Sequence, residues 1–174
     1  MSEAVGRPPG ASAGGLFNYS MDPGFFKALT SHPQRPFTPE QLLAYSFGHP
    51  VQFQPGEKFE YSNTNAILLG LVVEKVGGRP LAEYIERNVL EPAGMNHTFL
   101  PRGTEFPAPH AHGHTDQTAS GRTEDAADWN RSWAWAAGGM VFDQSEPSTL
   151  FGEAITRVVT PQYIHTLPAQ PAGR

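Results

Sequence analysis

Residues 65–76, NAILLGLVVEKV, are apolar on nearly every side apart from Glu74 and Lys75, and Gly77-Gly78 closes the stretch with residues free to take positive φ. A helix without a polar face is poorly suited to a surface, so this run predicts a central helix with others packed around it. Arg79-Pro80 predicts the start of a further helix through residue 89, with Leu81, Tyr84, Ile85 and Val89 on one face. Upstream, Asp22-Pro23 sets a side-chain acceptor before a proline at the first helical position, predicting a helix over 23–30 that buries Phe25, Phe26 and Leu29. Thr38-Pro39-Glu40-Gln41 reads as a capping box for a helix whose apolar stripe is Leu42, Leu43 and Phe47. His49-Pro50 stops it, because the residue before proline is pushed out of the α region. Gln54-Pro55-Gly56-Glu57 then carries the signature of a type II turn.

Strand signals are sparse. Residues 97–100 form one short candidate, within a Gly, His, Asp and Thr-rich excursion over 102–128, and a Trp-rich segment over 129–142 follows. A last helix is expected over 147–159. The chain therefore reads as mainly α, loop-rich and poor in strands, with a flexible leader over 1–14, a domain over 15–160 and a flexible tail over 161–174. Its 174 residues, 39% hydrophobic and 17% charged, suit one globular unit, and 18 Gly with 17 Pro demand many turns. A net charge of -5 offers no basic field for phosphates, which argues against nucleic acid and anionic membrane as partners. With no cysteine there is no disulfide and no thiolate nucleophile or ligand. No stretch is long and apolar enough to span a bilayer, and the compartment is left open.

Four groups of residues could carry chemistry. Gly10-Ala11-Ser12-Ala13-Gly14 fits the G-x-S-x-G elbow, but Gly6-Arg7-Pro8-Pro9 cannot form the strand that must precede it, so a flexible leader is the better reading. His110, His112, His114 and Asp116 have zinc-compatible side chains without helical or strand spacing, so no metal is assigned. Trp129, Trp133 and Trp135 before Gly138-Gly139 either fill the core or wall a pocket. Phe59-Glu60-Tyr61-Ser62-Asn63-Thr64-Asn65 joins a phenol able to move a proton to an amide able to orient a carbonyl. The plainer reading of the same residues is that Ser62 or Asn63 caps the next helix and Tyr61 packs against it.

From residue 15 to about 151 the sequence resembles the penicillin-recognising serine hydrolases of the class C β-lactamase, D-alanyl-D-alanine carboxypeptidase and related esterase type. Pro55-Gly56-Glu57-Lys58-Phe59-Glu60-Tyr61-Ser62-Asn63-Thr64-Asn65 resembles that family's P-G-x-x-[FW]-x-Y-S-N-x-[GN], and LLGLVVEKVGGRPLAEYIERNVLEPAGM resembles its two following helices. His112-Gly113-His114 stands where the family often has H-G-Y, and Ala136-Ala137-Gly138-Gly139-Met140 is similar to its A-A-G-G-[LM]. The resemblance implies a helical lobe, a partial domain of the α/β serine β-lactamase and DD-peptidase fold. It also implies that Tyr61 moves the proton of a serine nucleophile and leaving group, while Asn63 hydrogen-bonds the acyl-side amide. Trp133 and Trp135 are the candidate substrate-binding residues, and no cofactor is implied.

The family's other two motifs are absent from these residues. Lys27, Lys58 and Lys75 are preceded three positions earlier by Gly24, Pro55 and Val72, so there is no Ser-x-x-Lys. His97-Thr98, His114-Thr115 and His165-Thr166 run into Phe99, Asp116 and Leu167 rather than glycine. Ser12-Ala13-Gly14-Gly15-Leu16 stands where relatives read H-T-S-G-L, and Asp143-Gln144-Ser145-Glu146-Pro147 departs from their S-T-x-x-D-L. A truncated or decayed member, or a reading frame cut short, is the expectation. Intact relatives take small-molecule or peptide substrates and are usually exported. This chain alone is expected to lack turnover, and the alternative is a non-catalytic binding module or half of a split protein. An apolar face left without its sheet is expected to drive self-association.

Overall fold

The computed structural model describes residues 14–142; the serine motif at 10–14 falls almost wholly outside them, as do the leader, the helix expected over 147–159 and the tail. A 3-10 turn, Tyr19–Met21, leads into α1 (Pro23–Ser31) and α2 (Pro39–Phe47). Then come α3 (Asn63–Gly77) and α4 (Leu81–Ile85), which runs through a π-helical turn at Glu86–Leu90 into α5 (Glu91–Ala93). The antiparallel pair β1 (His114–Thr115) and β2 (Glu124–Asp125) follows, then 3-10 turns at Arg131–Trp133 and Trp135–Ala137.

The helix starts form for local reasons. Asp22 accepts from the Phe25 N–H at 2.9 Å, with Pro23 opening α1. The His49 imidazole, 2.7 Å from that carboxylate, and then the Phe25 N–H hold Asp22 below the ordinary carboxylate range. Both arms of the Thr38 capping box are made, Gln41 N–H to Thr38 Oγ1 and Thr38 N–H to Gln41 Oε1. The Gln54 turn closes with the Glu57 N–H on the Gln54 carbonyl at 3.0 Å and φ of 84° at Gly56.

The core gathers on one side of these helices. Tyr19, Phe25, Leu29, Phe37, Leu42, Leu43 and Ile67 are buried together. Phe25 is their centre, edge-on to Tyr19 at 5.1 Å and to Tyr45 at 5.6 Å and tilted against Phe37 at 5.6 Å. Phe26 and Phe47, expected inside, are instead 42% and 60% exposed, because this core covers only one side of α1 and α2.

α3 is less enclosed than its composition predicts. Thr64, Asn65, Ile67 and Gly70 are buried, while Leu69, Val72 and Val76 are 47%, 55% and 83% exposed along one side. On the buried side Gly70 allows close approach: a Cβ there would lie 2.8 Å from the Trp135 ring and 2.7 Å from Ala136 Cβ. Gly78 closes α3 in the left-handed region, as expected.

The next helix runs beyond its expected end at residue 89, because Pro92 does not break it. Proline has no N–H to bond the carbonyl four residues back, and its ring crowds that carbonyl; the π turn immediately before it, with the Glu91 N–H on Glu86 O, provides the room. The strand expected over 97–100 reduces to one bridge, Phe99 with Val141, bonded in both directions at 2.9 and 3.0 Å. The β1–β2 pair lies inside the excursion over 102–128, where a two-residue strand leaves no legible alternation.

Candidate functional site

Tyr61 and Asn63 meet at the start of α3. The Tyr61 hydroxyl donates to Asn63 Oδ1 at 2.7 Å, and the phenol is 60% exposed rather than packed on the helix. Lys58, in the same stretch, is engaged by Glu60 at 2.8 Å and lies over the Phe53 ring.

The expected helix cap is not made. Ser62 occupies the N-cap position, but its side chain makes no capping bond and its buried Oγ has no partner among the described residues. Asn63 is the first helical residue and does not cap either. The cap comes from far away in sequence: Asn18 Oδ1 accepts from the Asn63 N–H at 3.2 Å. Ser62 is extended, with φ -144° and ψ 121°, and points its hydroxyl into the protein, so a partner brought by the 18–21 turn takes over its role.

That turn is fastened along its length. Asn63 Nδ2 donates to Ser20 Oγ at 3.1 Å, and Ser20 Oγ donates to Asn18 Oδ1 at 3.1 Å. The Tyr19 N–H bonds Thr64 Oγ1 at 3.1 Å, and Thr64 Oγ1 donates to the Phe17 carbonyl at 2.7 Å, as does Ser46 Oγ at 2.6 Å. Tyr19 is fully buried and its hydroxyl donates to the Trp133 carbonyl at 2.6 Å. Burial first, and the neighbouring Tyr61 second, push the Tyr19 phenol well above its ordinary range, so Tyr19 stays a neutral donor.

Trp133 and Trp135 are both half-buried and packed against the core. The Trp133 ring tilts against Phe25 at 6.4 Å, and the Trp135 ring covers Gly70. Trp135 has a φ of 34°, and a Cβ on Gly139 would lie 2.9 Å from the Trp135 nitrogen, so the Gly138-Gly139 turn depends on a missing side chain. The described contacts of both rings are with the core; the Trp133 link to the Tyr61 side runs through Tyr19.

The histidines form a separate group. His112 Nδ1 lies 2.5 Å from Asp125 Oδ2, and the His110 ring stacks on Phe106 at 4.1 Å. The Ala127 N–H, followed by His112, holds Asp125 below the ordinary carboxylate range. Among the described residues no three His, Asp or Glu side chains converge as a metal would need. An open cleft of about 420 Å³ between the end of α1 and β2, lined by residues including His32, Arg35, Asp128 and Trp129, shares no residue with the Tyr61 cluster.

The β-lactamase family model matches residues 11–143, most of the chain. The chain belongs to the β-lactamase family. A D-alanyl-D-alanine carboxypeptidase homologue from Escherichia coli K12 is 45% identical over 51 residues, 29% of this chain and 12% of that protein. A D-stereospecific amidohydrolase from Streptomyces sp. superposes with a TM-score of 0.72 at 29% identity, over 82% of this chain and 48% of that one. A penicillin-binding protein from Bacillus halodurans does so with a TM-score of 0.65 at 28% identity, over 84% and 44%. The chain thus spans about half the length of these solved relatives.

Asn18, Ser20 and Thr64 are the residues that sequence reasoning missed here. A signal for Asn18 exists: an Asn two residues before a Ser is a local cap pattern, and Asn18 caps the 3-10 turn at Tyr19–Met21. Its second role, on α3, has no local signature. If Asn18 rather than Ser62 caps α3, Asn18→Ala should lose about 1–2 kcal/mol in urea unfolding. Ser62→Ala should stay within about 0.5 kcal/mol of the parent, because it removes a buried hydroxyl that bonds nothing. The reverse ranking would restore the local cap.

Proposed function

We propose that this chain carries the Tyr-x-Asn element of a serine acyl-transfer site, on the helical lobe of the β-lactamase and DD-peptidase fold. The observation that carries the reading is the Tyr61 hydroxyl on Asn63 Oδ1 at the first turn of α3, inside the segment whose sequence matches the family's motif. Tyr61 moves the proton between nucleophile and leaving group, as an exposed phenol can. Asn63 offers the acyl-side carbonyl of a substrate its remaining Nδ2–H, the other being held by Ser20. Trp133 and Trp135 back the pair from the core side, through the Tyr19 hydroxyl on the Trp133 carbonyl. The names of the amidohydrolase and carboxypeptidase relatives support amides and peptides with a D-residue as the substrate class.

The nucleophile is what these 174 residues lack, since no serine stands three positions before a lysine. Without that pair no acyl-enzyme forms, so the polypeptide alone does not turn over. A second reading, a non-catalytic module or one half of a split protein, is favoured by the exposed Leu69, Val72 and Val76 on α3.

Intact-mass spectrometry after incubation with a penicillin or a fluorophosphonate should show unmodified protein; a stoichiometric adduct on a serine would overturn the assigned lack of turnover. Size-exclusion chromatography with light scattering reads the second point. Concentration-dependent association, relieved by Val72→Glu with Val76→Glu, is expected, and a compact monomer that binds no apolar dye would remove the docking face.

A further inference from the structure

We propose that Asn18 and Ser20 are positioning residues that determine which way the Asn63 amide faces, and through it fix Tyr61 as a hydrogen-bond donor. The proposal rests on Tyr61 and Asn63 being the acyl-transfer pair, and it deepens that reading.

The argument follows donors and acceptors outward from the backbone. The backbone N–H groups of Asn63 and Ser20 can only donate, and both point at one side-chain atom of Asn18, at 3.2 and 3.4 Å. That atom is therefore the amide oxygen, which can only accept. Ser20 Oγ, 3.1 Å from it, must then use its single hydrogen to donate to Asn18. Having no second hydrogen, Ser20 Oγ can only accept from the Asn63 side chain at 3.1 Å, which turns Nδ2 toward Ser20. Oδ1 is left facing Tyr61, and a carbonyl oxygen accepts, so the phenol donates at 2.7 Å. A flipped Asn63 would set its oxygen against the Ser20 oxygen, a repulsive contact, and would turn Tyr61 from a donor into an acceptor.

One chain of single-direction bonds thus runs from two backbone amides to the exposed phenol. It orients the Tyr61 hydroxyl as a donor, the sense in which a phenol hands a proton on. Among the described residues it also leaves the second Asn63 Nδ2–H without a partner, available to a carbonyl. Neither Asn18 nor Ser20 need touch a substrate to do this.

The test uses side-chain amide NMR of the whole chain, with Asn63 assigned through Asn63→Asp and Tyr61 through Tyr61→Phe. In the unmodified protein the two Asn63 Nδ2 hydrogens should exchange with water at clearly different rates, the one on Ser20 more slowly; equal rates overturn the proposal without any further variant. Ser20→Ala should raise exchange of the protected hydrogen about tenfold or more and shift the Tyr61 ring signals, with the backbone spectrum of α3 kept. Ser20→Thr, which keeps the hydroxyl, should restore both. Asn63 and Tyr61 signals unchanged in Ser20→Ala would contradict the relay. None of these readouts depends on turnover, so a penicillin adduct would sink the assigned inactivity while leaving this assignment standing. Loss of the amide signature would do the opposite.

Discussion

The amide oxygen of Asn18 accepts from the Asn63 N–H at 3.2 Å and from the N–H and hydroxyl of Ser20 at 3.4 and 3.1 Å. A helix start leaves its first N–H groups unpaired, and α3 has no cap of its own because the Ser62 hydroxyl is buried without a bond. Asn18 supplies the missing acceptor from another part of the chain. The same atom therefore begins the Tyr19–Met21 turn, begins α3 and joins the two. Tyr19, between Asn18 and Ser20, is held by Thr64 at its backbone and by the Trp133 carbonyl at its hydroxyl. Core and site thus share one strap of chain.

This arrangement explains how an exposed residue pair can be well placed. Tyr61 itself is largely in water, where a free phenol would sample many rotamers. Asn63 is part-buried and bonded through both its backbone and its side chain, so the acceptor that Tyr61 uses is fixed even where Tyr61 is not packed. Membership of the β-lactamase family makes the pair a candidate for acyl transfer, and the polar chain beneath it gives the pair its direction.

What could be read in the sequence was whatever is decided within a few residues. Asp22-Pro23, the Thr38 capping box, the Gly56 turn and the Gly78 stop all place donor and acceptor, or the required positive φ, inside one turn, and each forms as read. Ser62 failed as a cap because its competitor, Asn18, is set by tertiary packing. The helix expected to end at residue 89 runs on because a π turn absorbs Pro92. The exposure of Phe26, Phe47 and Val76 reflects where the core lies, which the apolar pattern of a single helix does not reveal. Tyr61 and Asn63 are candidates through the family's motif, and Asn18 through a local cap pattern with Ser20, whereas the link of Asn18 and Ser20 to Asn63 emerges only from hydrogen-bond directions.

The central claim, that the 18–21 turn and the start of α3 are one unit, is tested most directly by native-state hydrogen exchange at two backbone amides, Tyr19 and Asn63. Their acceptors, Thr64 Oγ1 and Asn18 Oδ1, belong to the opposite segments. Both amides should exchange together and as slowly as those in the middle of α3, through the same cooperative opening. An Asn63 amide that exchanges at the rapid rate of a frayed helix end, with Tyr19 protected independently, would contradict it.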